Sequence, residues 1–525
     1  RRCHGKSLHG FAGSTSRSNL DADSWICAQA HQPDVPGKFK TSFRVTFMVE
    51  PMKRTQEPLK NFAKLTVMAA IAGASACLVF MNALHGEFVF DDMYAIVQNP
   101  DVYSSQPWLA LFEHDFWGFP LESEKSHKSY RPLTTLTFRW QMMHTNGTEL
   151  SAVSTRMHQV NVALHALNSG LSVFLFRSLG LSVSESSFAS LLFACHPVHV
   201  EAVASLVGRA ELLAALMTIC SIILWNIPLL WPLSFILAAC ALFCKETAAL
   251  VALPMISSFQ LMDWMCSKAY SEWKLLTALK TVLPLMLLSL LLTLRLLLHG
   301  GLQARPFLHP EANPGAFAED LQTRLLTLHF YFFRHLRLLV WPWPLCCDWS
   351  HQSIPLLTSF ADVRVALPFW TIYAFPFGLL KISQGCSSKN RLHRGLVLTS
   401  LWLLFSMLPA SNLLFTVGFT VAERVMYIPS IASSALLARL VIQGLANSSK
   451  PLQVVGLFLA LAVLLISSRS CLEQSKAWWT AERLYRSGLE ANPRNEKLHD
   501  LLATRLQNSG GNLQEARSHA EKAIV

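Results

Sequence analysis

Two adjacent carboxylates, Asp91 and Asp92, follow the first long apolar segment of the chain. Neighbouring carboxylates repel each other, which favours the protonated form of one and suits one member of such a pair to act as a general base. A solvated loop, or the N-cap of a following helix, would also place carboxylates here. On chemistry alone, Asp91 and Asp92 are candidate catalytic residues.

A second polar cluster interrupts the apolar pattern further along the chain, and it consists of His196, His199, Glu201, Arg209 and Glu211. Imidazole and carboxylate groups are zinc ligands, but a proline within the run and the lack of an obvious further ligand argue against a metal site. Contacts to a phosphate or a sugar fit better, since the arginine guanidinium matches the geometry of phosphate oxygens. We therefore predict substrate-binding roles and leave a requirement for a divalent metal open.

Two further ion pairs are formed by neighbouring residues, Lys245-Glu246 and Glu423-Arg424. Charged residues within apolar segments are expensive to bury and are candidates for function. The first pair could instead lie in a loop between two short spans, and the second could be a salt bridge that fixes the end of a helix. Both interpretations stay open for both pairs.

The elements that must position these residues are membrane spans. Of the 525 residues, 52% are hydrophobic and 15% are charged, whereas soluble domains carry about 25% charged residues. Apolar runs of about 20 residues match the thickness of a bilayer core. The net charge of +11 is explained by basic residues that orient the spans, so nucleic-acid binding is not expected. The 12 cysteines lack the spacing of a zinc site or a disulfide framework. We expect an all-α, polytopic membrane helix bundle.

Hydropathy predicts eleven spans, at about 65–84, 158–178, 187–204, 209–227, 231–248, 249–266, 279–299, 364–381, 395–412, 424–443 and 451–469. Basic residues before the first span put segment 1–64 in the cytosol, where it is expected to be a disordered basic tail. The first luminal loop then covers 85–156 and includes Asn146-Gly147-Thr148, a glycosylation acceptor. The transmembrane domain as a whole covers 65–470.

Segment 323–345 is expected to be a luminal amphipathic or re-entrant segment, because three arginines make a full span costly. Counting it as a span would also put the basic cluster at 389–394 in the lumen, against the positive-inside rule. With this topology the carboxylate pair at 91–92, the cluster at 196–211 and the pair at 423–424 share the luminal side. We therefore expect them to form a single site.

The remaining residues, 471–525, are helical in pattern and luminal in this topology. Ala481, Tyr485, Gly488 and Pro493 have the spacing of the second helix of a tetratricopeptide (TPR) unit, and an alanine set begins again at Ala516. A generic helical hairpin is the alternative. Fewer than two repeats cannot form a stable solenoid, and the pattern stops part-way, so we expect a truncated TPR segment.

Short motifs spread in order along residues 65–525 carry a family resemblance. They include Phe88-Val-Phe-Asp-Asp92, Ser126-His-Lys-Ser-Tyr-Arg-Pro-Leu-Thr134, Phe193-Ala-Cys-His-Pro-Val-His-Val-Glu-Ala202, Val207-Gly-Arg-Ala-Glu-Leu212, Cys347-Asp-Trp-Ser350 and Val421-Ala-Glu-Arg-Val-Met-Tyr-Ile-Pro429. Together they resemble the transmembrane and TPR repeat-containing proteins. The family carries a long TPR array, and this sequence holds fewer than two repeats.

This resemblance implies a GT-C type glycosyltransferase in the endoplasmic reticulum membrane, with a cytosolic N-terminus. Such an enzyme would move mannose from dolichyl-phosphate-mannose to serine or threonine hydroxyls of secretory proteins, including cadherin-type domains, with inversion. It implies a catalytic base at Asp91 or Asp92, and Arg131, Arg209 and Arg424 are candidates to hold the phosphate. The lipid-linked donor is a substrate, and no firmly bound cofactor is implied. A non-catalytic TPR adaptor is the alternative, and a transporter is disfavoured because the spans show no internal repeat.

Overall fold

The computed structural model describes residues 56–103, 107–145, 149–227, 229–266, 275–301, 307–370, 391–412 and 415–524. Within these ranges the chain forms helices and loops. The β-structure of the described residues is one isolated antiparallel bridge between His114 and Pro120. The predicted all-α class is therefore confirmed for the described residues. Residues 1–55 of the predicted tail, the glycosylation acceptor at 146–148 and most of the predicted span at 364–381 lie outside them. The end of that tail, 56–64, is not disordered as expected, because it forms the first turns of the helix Gln56–Val79.

The described helices are numbered in chain order. Their bounds are α1 Gln56–Val79, α2 Pro100–Tyr103, α3 Pro132–Met143, α4 Leu150–Ser178, α5 Val183–Ala194, α6 Val200–Ala204, α7 Arg209–Trp225, α8 Trp231–Cys244, α9 Ala249–Cys266, α10 Leu275–Leu298, α11 Leu321–Leu338, α12 Val363–Phe369, α13 Arg391–Met407, α14 Pro429–Ala446, α15 Lys450–Ala477, α16 Ala481–Ala491, α17 Glu496–Asn508 and α18 Leu513–Lys522. Short 3-10 turns connect several of them, including Pro197–His199 and Arg424–Met426.

Five of the described helices are long and apolar enough to cross a bilayer. They are α1, α10, α14, α15, and α7 together with the turn before it, Leu206–Trp225. The bent pair α5–α6 makes a sixth if it counts as one span, and α8 and α9 are shorter apolar helices. The chain is therefore a membrane protein with several spans. The count of eleven stays a prediction.

The predicted span at 187–204 is broken. Helix α5 ends at Ala194, the turn Pro197–His199 follows, and α6 leaves at an angle of 48°. Proline lacks the N–H that a continuous helix needs and clashes with the preceding turn. The His196 side chain caps the new turn by accepting from the Val198 N–H at 3.2 Å. The break places Glu201 on a short separate helix.

Helix α11 has a mixed inner face. Leu326 and Leu338 are buried together with Thr327, Tyr331 and His335, whereas Leu321 and Leu325 at its start are exposed. The helix therefore buries polar and apolar side chains on one face. Helix α11 is not among the described helices apolar enough to span, which is in line with the expected amphipathic segment at 323–345.

The C-terminal segment, residues 471–524, continues directly from the last span. Helix α15 runs from the apolar run into the polar residues that follow it, and α16, α17 and α18 pack one after another. Thr480 and Asn495 cap the starts of α16 and α17 through their side-chain oxygens, which accept from Arg483 N–H and Leu498 N–H. The segment is thus a compact set of helices joined to the membrane domain.

Candidate active site

A cavity of about 950 Å³ lies where the first loop, the α8–α9 connection and the turn before α14 meet. Six lysine or arginine side chains line it: Lys128, Arg131, Lys245, Arg295, Arg424 and Lys497. Four carboxylates also line it: Asp91, Glu201, Glu246 and Asp348. The cavity therefore has more cationic than anionic side chains, which favours an anionic ligand.

Asp91, Glu201 and Arg424 form one connected group in this cavity. The Arg424 guanidinium donates to the Asp91 carboxylate at 2.9 Å and lies 3.5 Å from the Glu201 carboxylate. Glu201 also accepts from the backbone N–H of Arg424 at 2.8 Å. Burial alone would lower the pKa of Arg424, but the two carboxylates raise it above its usual value, so the guanidinium stays charged. Three segments predicted to share one side of the membrane thus meet at one cation.

Asp92 points away from the cavity. Its side chain is fully buried and accepts from the backbone N–H of Val207 at 2.9 Å and of Val89 at 3.3 Å. Burial raises the pKa of Asp92 to about 7, although these hydrogen bonds oppose the rise. The two adjacent carboxylates therefore have different surroundings: Asp91 faces the cavity, and Asp92 ties the first loop to the turn before α7.

Arg131 and Glu246 form a bidentate ion pair at the cavity wall, with both hydrogen bonds at 2.9 Å. Burial would raise the pKa of Glu246, but the charge and hydrogen bonds of Arg131 lower it well below its usual range. Next to it, Lys245 lines the cavity and pairs with the buried Glu211 behind the wall. Lys245 and Glu246 follow the end of α8 and lie outside the helix, as the loop interpretation had it.

Arg209, a candidate phosphate ligand on sequence grounds, does not line the cavity. Its fully buried guanidinium donates to Asn161 and to the backbone oxygen of Met157, both at 2.9 Å, and lies 4.4 Å from the centre of the Phe138 ring. Its hydrogen-bonding capacity is used within the protein, so the guanidinium holds α4 and α7 together and is closed to a ligand.

Two more predicted site residues, both histidines, have partners outside the cavity. His196 contacts the backbone oxygen of Leu339 at 3.2 Å, and His199 contacts the Ser430 hydroxyl at 2.7 Å. These imidazoles and Glu201 therefore face separate partners, and no three His, Cys, Asp or Glu side chains of the described residues are grouped as metal ligands.

Glu423 accepts from the backbone N–H of Cys346 at 2.6 Å and from the Trp349 indole at 3.2 Å. Burial, with the nearby Glu201 charge, raises the pKa of Glu423 to about 8. Its carboxyl holds the loop at 346–349 in place behind the cavity wall, so its role in the described geometry is structural.

Sequence reasoning missed Arg295 and His299, at the end of α10. Arg295 donates to the backbone oxygen of Lys128 at 3.2 Å, and its Nη1 atom is buried without a hydrogen-bond partner, as is Nε2 of His299. Both side chains line the cavity. An arginine near the end of an apolar helix is itself a signal for function, but the leucines around it assigned this run to a span.

Comparisons with known proteins match this chain to one family. The model described as "Protein O-mannosyl-transferase TMTC, DUF1736" matches residues 302–375. The human protein O-mannosyl-transferase TMTC4 is 34% identical over 484 residues, which cover 84% of this chain and 64% of that protein. Mouse TMTC3 is 33% identical over 473 residues, covering 85% of this chain and 49% of that protein. Over most of its length the chain is thus similar to the transmembrane and TPR repeat-containing (TMTC) proteins.

The family-model region contributes directly to the cavity. Leu308, Ala312 and Phe317 line it from the segment before α11, and Asp348 and Trp349 line it from the segment after α11. The chain spans less than two thirds of the length of the TMTC relatives named above. A solved Archaeoglobus fulgidus oligosaccharyltransferase with a tethered acceptor peptide has 12% identity and a TM-score of 0.40, and covers 90% of this chain and 59% of that one.

Proposed function

We propose that this chain is a protein O-mannosyltransferase of the endoplasmic reticulum membrane. It transfers mannose from dolichyl-phosphate-mannose to serine or threonine hydroxyls of secretory or cell-surface proteins, including cadherin-like domains. The observation that carries the proposal is Asp91, a carboxylate held by Arg424 at 2.9 Å inside a cavity that is rich in cations. The names of the TMTC relatives, protein O-mannosyl-transferases, support the same reaction.

Asp91 is the proposed catalytic base. In the transfer, Asp91 accepts the proton of the acceptor hydroxyl as the hydroxyl oxygen forms a bond to the anomeric carbon of mannose. The bond from that carbon to the phosphate oxygen breaks, and dolichyl phosphate leaves with the electron pair. This single displacement inverts the anomeric centre, so a β-linked donor yields an α-mannoside. Among described residues, Arg424 donates the hydrogen bond to Oδ2 of Asp91, which leaves Oδ1 for the hydroxyl.

Arg295, Lys128 and Arg131 are the proposed phosphate side of the cavity. The unpartnered Nη1 of Arg295 is available for a charge-assisted hydrogen bond to the leaving phosphate. Arg131 lies beside it, with Glu246 fixing its orientation. Cations at this position stabilise the negative charge that develops on the departing phosphate, which is where electrostatic catalysis is most effective.

The lipid tail of the donor would lie along α10. Leu292 and Leu296 line the cavity on the same helix as Arg295, and the apolar window of α10 is only 11% buried within the protein. An apolar helix that is exposed in this way faces acyl chains. Phosphate-binding groups and a lipid-facing surface are thus adjacent on one helix, as a lipid-linked phosphate donor requires.

The proposal is tested by expressing the chain in cells that lack their own enzymes of this kind, together with a cadherin-domain reporter. O-linked mannose on the reporter is measured by mass spectrometry for wild type, Asp91→Asn and the control Glu124→Gln at matched expression. Glu124 is an exposed carboxylate of the same loop, outside the cavity. Wild type and control should add mannose, and Asp91→Asn should lose a factor of about 10²–10⁴ in rate.

Two outcomes would change the assignment. Mannose that persists with Asp91→Asn would remove Asp91 as the base. A wild-type chain that adds no mannose, yet binds luminal proteins through its C-terminal helices, would favour the adaptor. Loss of mannose that occurs only in Asp91→Asn supports the enzyme and its base together.

A further inference from the structure

The C-terminal segment is fixed against the first loop at its start. The Trp479 indole N–H donates to the backbone oxygen of Asn82 at 2.5 Å, and the Asn82 amide donates to the backbone oxygen of Leu472 at 2.8 Å. The Trp479 carbonyl also accepts from the Glu87 N–H at 2.9 Å. These three hydrogen bonds fix the start of the C-terminal segment against the residues at the beginning of the first loop.

A second set of contacts joins α16 and α17 to the loop at 346–353. The Asn495 amide donates to the backbone oxygen and the carboxylate of Asp348 at 3.1 and 3.0 Å, and to the Ser353 hydroxyl at 3.1 Å. Gly488 permits the close approach, because a Cβ there would lie 2.6 Å from the Leu498 side chain and 3.3 Å from Sγ of Cys347. The C-terminal segment is therefore packed onto a wall of the cavity.

Lys497 extends from α17 into the cavity itself. Its Nζ lies 2.8 Å from the Asp348 carboxylate and 4.8 Å from the centre of the Phe90 ring. Phe90 directly precedes Asp91, and the charges of Lys497 and Asp91 interact. The Lys497 side chain keeps 40% of its surface exposed. Its ammonium group therefore has N–H donors available beyond the one that binds Asp348.

Lys497 and Arg295 have different charged neighbours. Arg295 interacts with Glu246 and Arg131, whereas Lys497 interacts with Asp348 and Asp91. The two cations therefore occupy different parts of one cavity. The part of the cavity around Arg295 is the proposed binding site for the phosphate of the lipid-linked donor. Lys497 lies in the other part, which is open to the second substrate, the acceptor polypeptide.

We propose that Lys497 is a positioning residue for the acceptor polypeptide, which reaches Asp91 through the cavity that both residues line. An ammonium group has three donors, and one is bound to Asp348, so another can bind a backbone carbonyl of an extended acceptor segment. This bond would bring the serine or threonine hydroxyl to Asp91. The inference rests on the proposed transferase function and adds a site for its acceptor.

Steady-state kinetics with a cadherin-domain acceptor test the inference. The purified full chain is compared as wild type, Lys497→Met and Lys497→Arg, first with the acceptor varied and then with dolichyl-phosphate-mannose varied. Lys497→Met should raise the acceptor KM about tenfold or more and leave the donor KM unchanged, because a charge-assisted hydrogen bond is lost on one side only. Lys497→Arg should restore part of the acceptor affinity.

Lys522→Met serves as the matched control, because Lys522 is an exposed lysine of α18 outside the cavity. It should keep both wild-type KM values. An unchanged acceptor KM in Lys497→Met, or an equal change for donor and acceptor, would overturn the assignment.

A crosslinking experiment separates this inference from the proposed chemistry, since it needs no turnover. A photo-reactive amino acid replaces Lys497 or, as the control, Lys522, in a chain that also carries Asp91→Asn. Crosslinks to the acceptor from position 497 and not from position 522 support the acceptor site. Their absence from position 497 contradicts it, whether or not the wild-type chain transfers mannose. Crosslinking together with an inactive wild type would contradict the proposed function alone.

Discussion

The guanidinium of Arg424 lies 2.9 Å from the carboxylate of Asp91, although 333 positions separate the two residues in the chain. Because Arg424 also contacts Glu201, this cation joins the first loop, the short helix α6 and the turn before α14. Pairing between partly buried groups of this kind fixes orientation more than it adds net stability. Asp91 is thus positioned by residues that are remote in sequence.

Asp92 should contribute to stability and leave the chemistry unaffected. Replacing Asp92 with alanine leaves the backbone N–H groups of Val207 and Val89 without their acceptor, which costs about 1–3 kcal/mol for each buried group. We expect Asp92→Ala to lower the thermal unfolding midpoint measured by fluorimetry in detergent. Mannose transfer per folded molecule should stay near the wild-type value. A full loss of transfer with an unchanged midpoint would place Asp92 in the chemistry after all.

Arg295 and Arg209 should differ in what they support. Arg295→Met removes a cation from the proposed phosphate side, so the donor KM should rise about tenfold or more, as expected for a lost charge-assisted hydrogen bond. Arg209→Met leaves Asn161 and the Met157 oxygen without their donor and should lower the unfolding midpoint.

The measurement combines donor titration with thermal unfolding for both variants and for Arg469→Met, an exposed arginine of α15. The control should match wild type in both. If Arg209→Met raised the donor KM at an unchanged midpoint, Arg209 at the start of α7 would be a phosphate-binding residue, contrary to the proposal.

The contrast between these two arginines shows how far the sequence could go. Hydropathy and the positive-inside rule placed Asp91, Glu201 and Arg424 on one side of the membrane, and the structure brings all three into contact. The same reasoning could not tell that Arg209 turns inward, because burial depends on the packing of α4 against α7. Arg295 was missed because its neighbours are leucines.

Asp91 and Asp92 show a second limit. Adjacent residues in an irregular turn point in different directions, and the sequence does not reveal which one faces a cavity. Lys497 shows a third limit. Its position depends on C-terminal helices that pack back onto the start of the first loop, and the Trp479–Asn82 contact there spans 397 positions. The sequence therefore does not predict the direction in which a single side chain points, or the packing of helices that are far apart in the chain.

Stability should fall as pH rises, because of Glu423. Burial raises its pKa to about 8, whereas a glutamate in an unfolded chain titrates near 4.3. Between about pH 4 and pH 8 the folded protein holds a proton that the unfolded chain has lost. By linkage, the free energy of unfolding then decreases as pH rises through this window and levels off above it. Asp92, with a pKa raised to about 7, contributes in the same direction.

Glu423→Gln cannot titrate and keeps an oxygen for the Cys346 N–H and the Trp349 indole. Its unfolding midpoint should therefore fall less between pH 5 and pH 8 than that of wild type, by several degrees. Glu490→Gln, an exposed residue of α16, is the control and should follow the wild-type curve. Parallel curves for wild type and Glu423→Gln would show that Glu423 does not titrate in this range.

The ion pair between Glu211 and Lys245 offers a double-mutant test of the wall behind the cavity. Both side chains are almost fully buried, at 4% and 6% exposed, so removing one partner leaves the other charge unpaired. Breaking a buried pair in this way costs about 3–5 kcal/mol, whereas replacing both members with apolar residues of similar volume is close to neutral. We expect Glu211→Met and Lys245→Met each to lower the unfolding midpoint strongly.

The double variant should unfold at a higher temperature than either single variant. Because Lys245 lines the cavity, the double variant should still transfer less mannose than wild type. A double variant less stable than both single variants would mean that the two residues act independently, and that Lys245 is held by Glu201 and Glu246 instead.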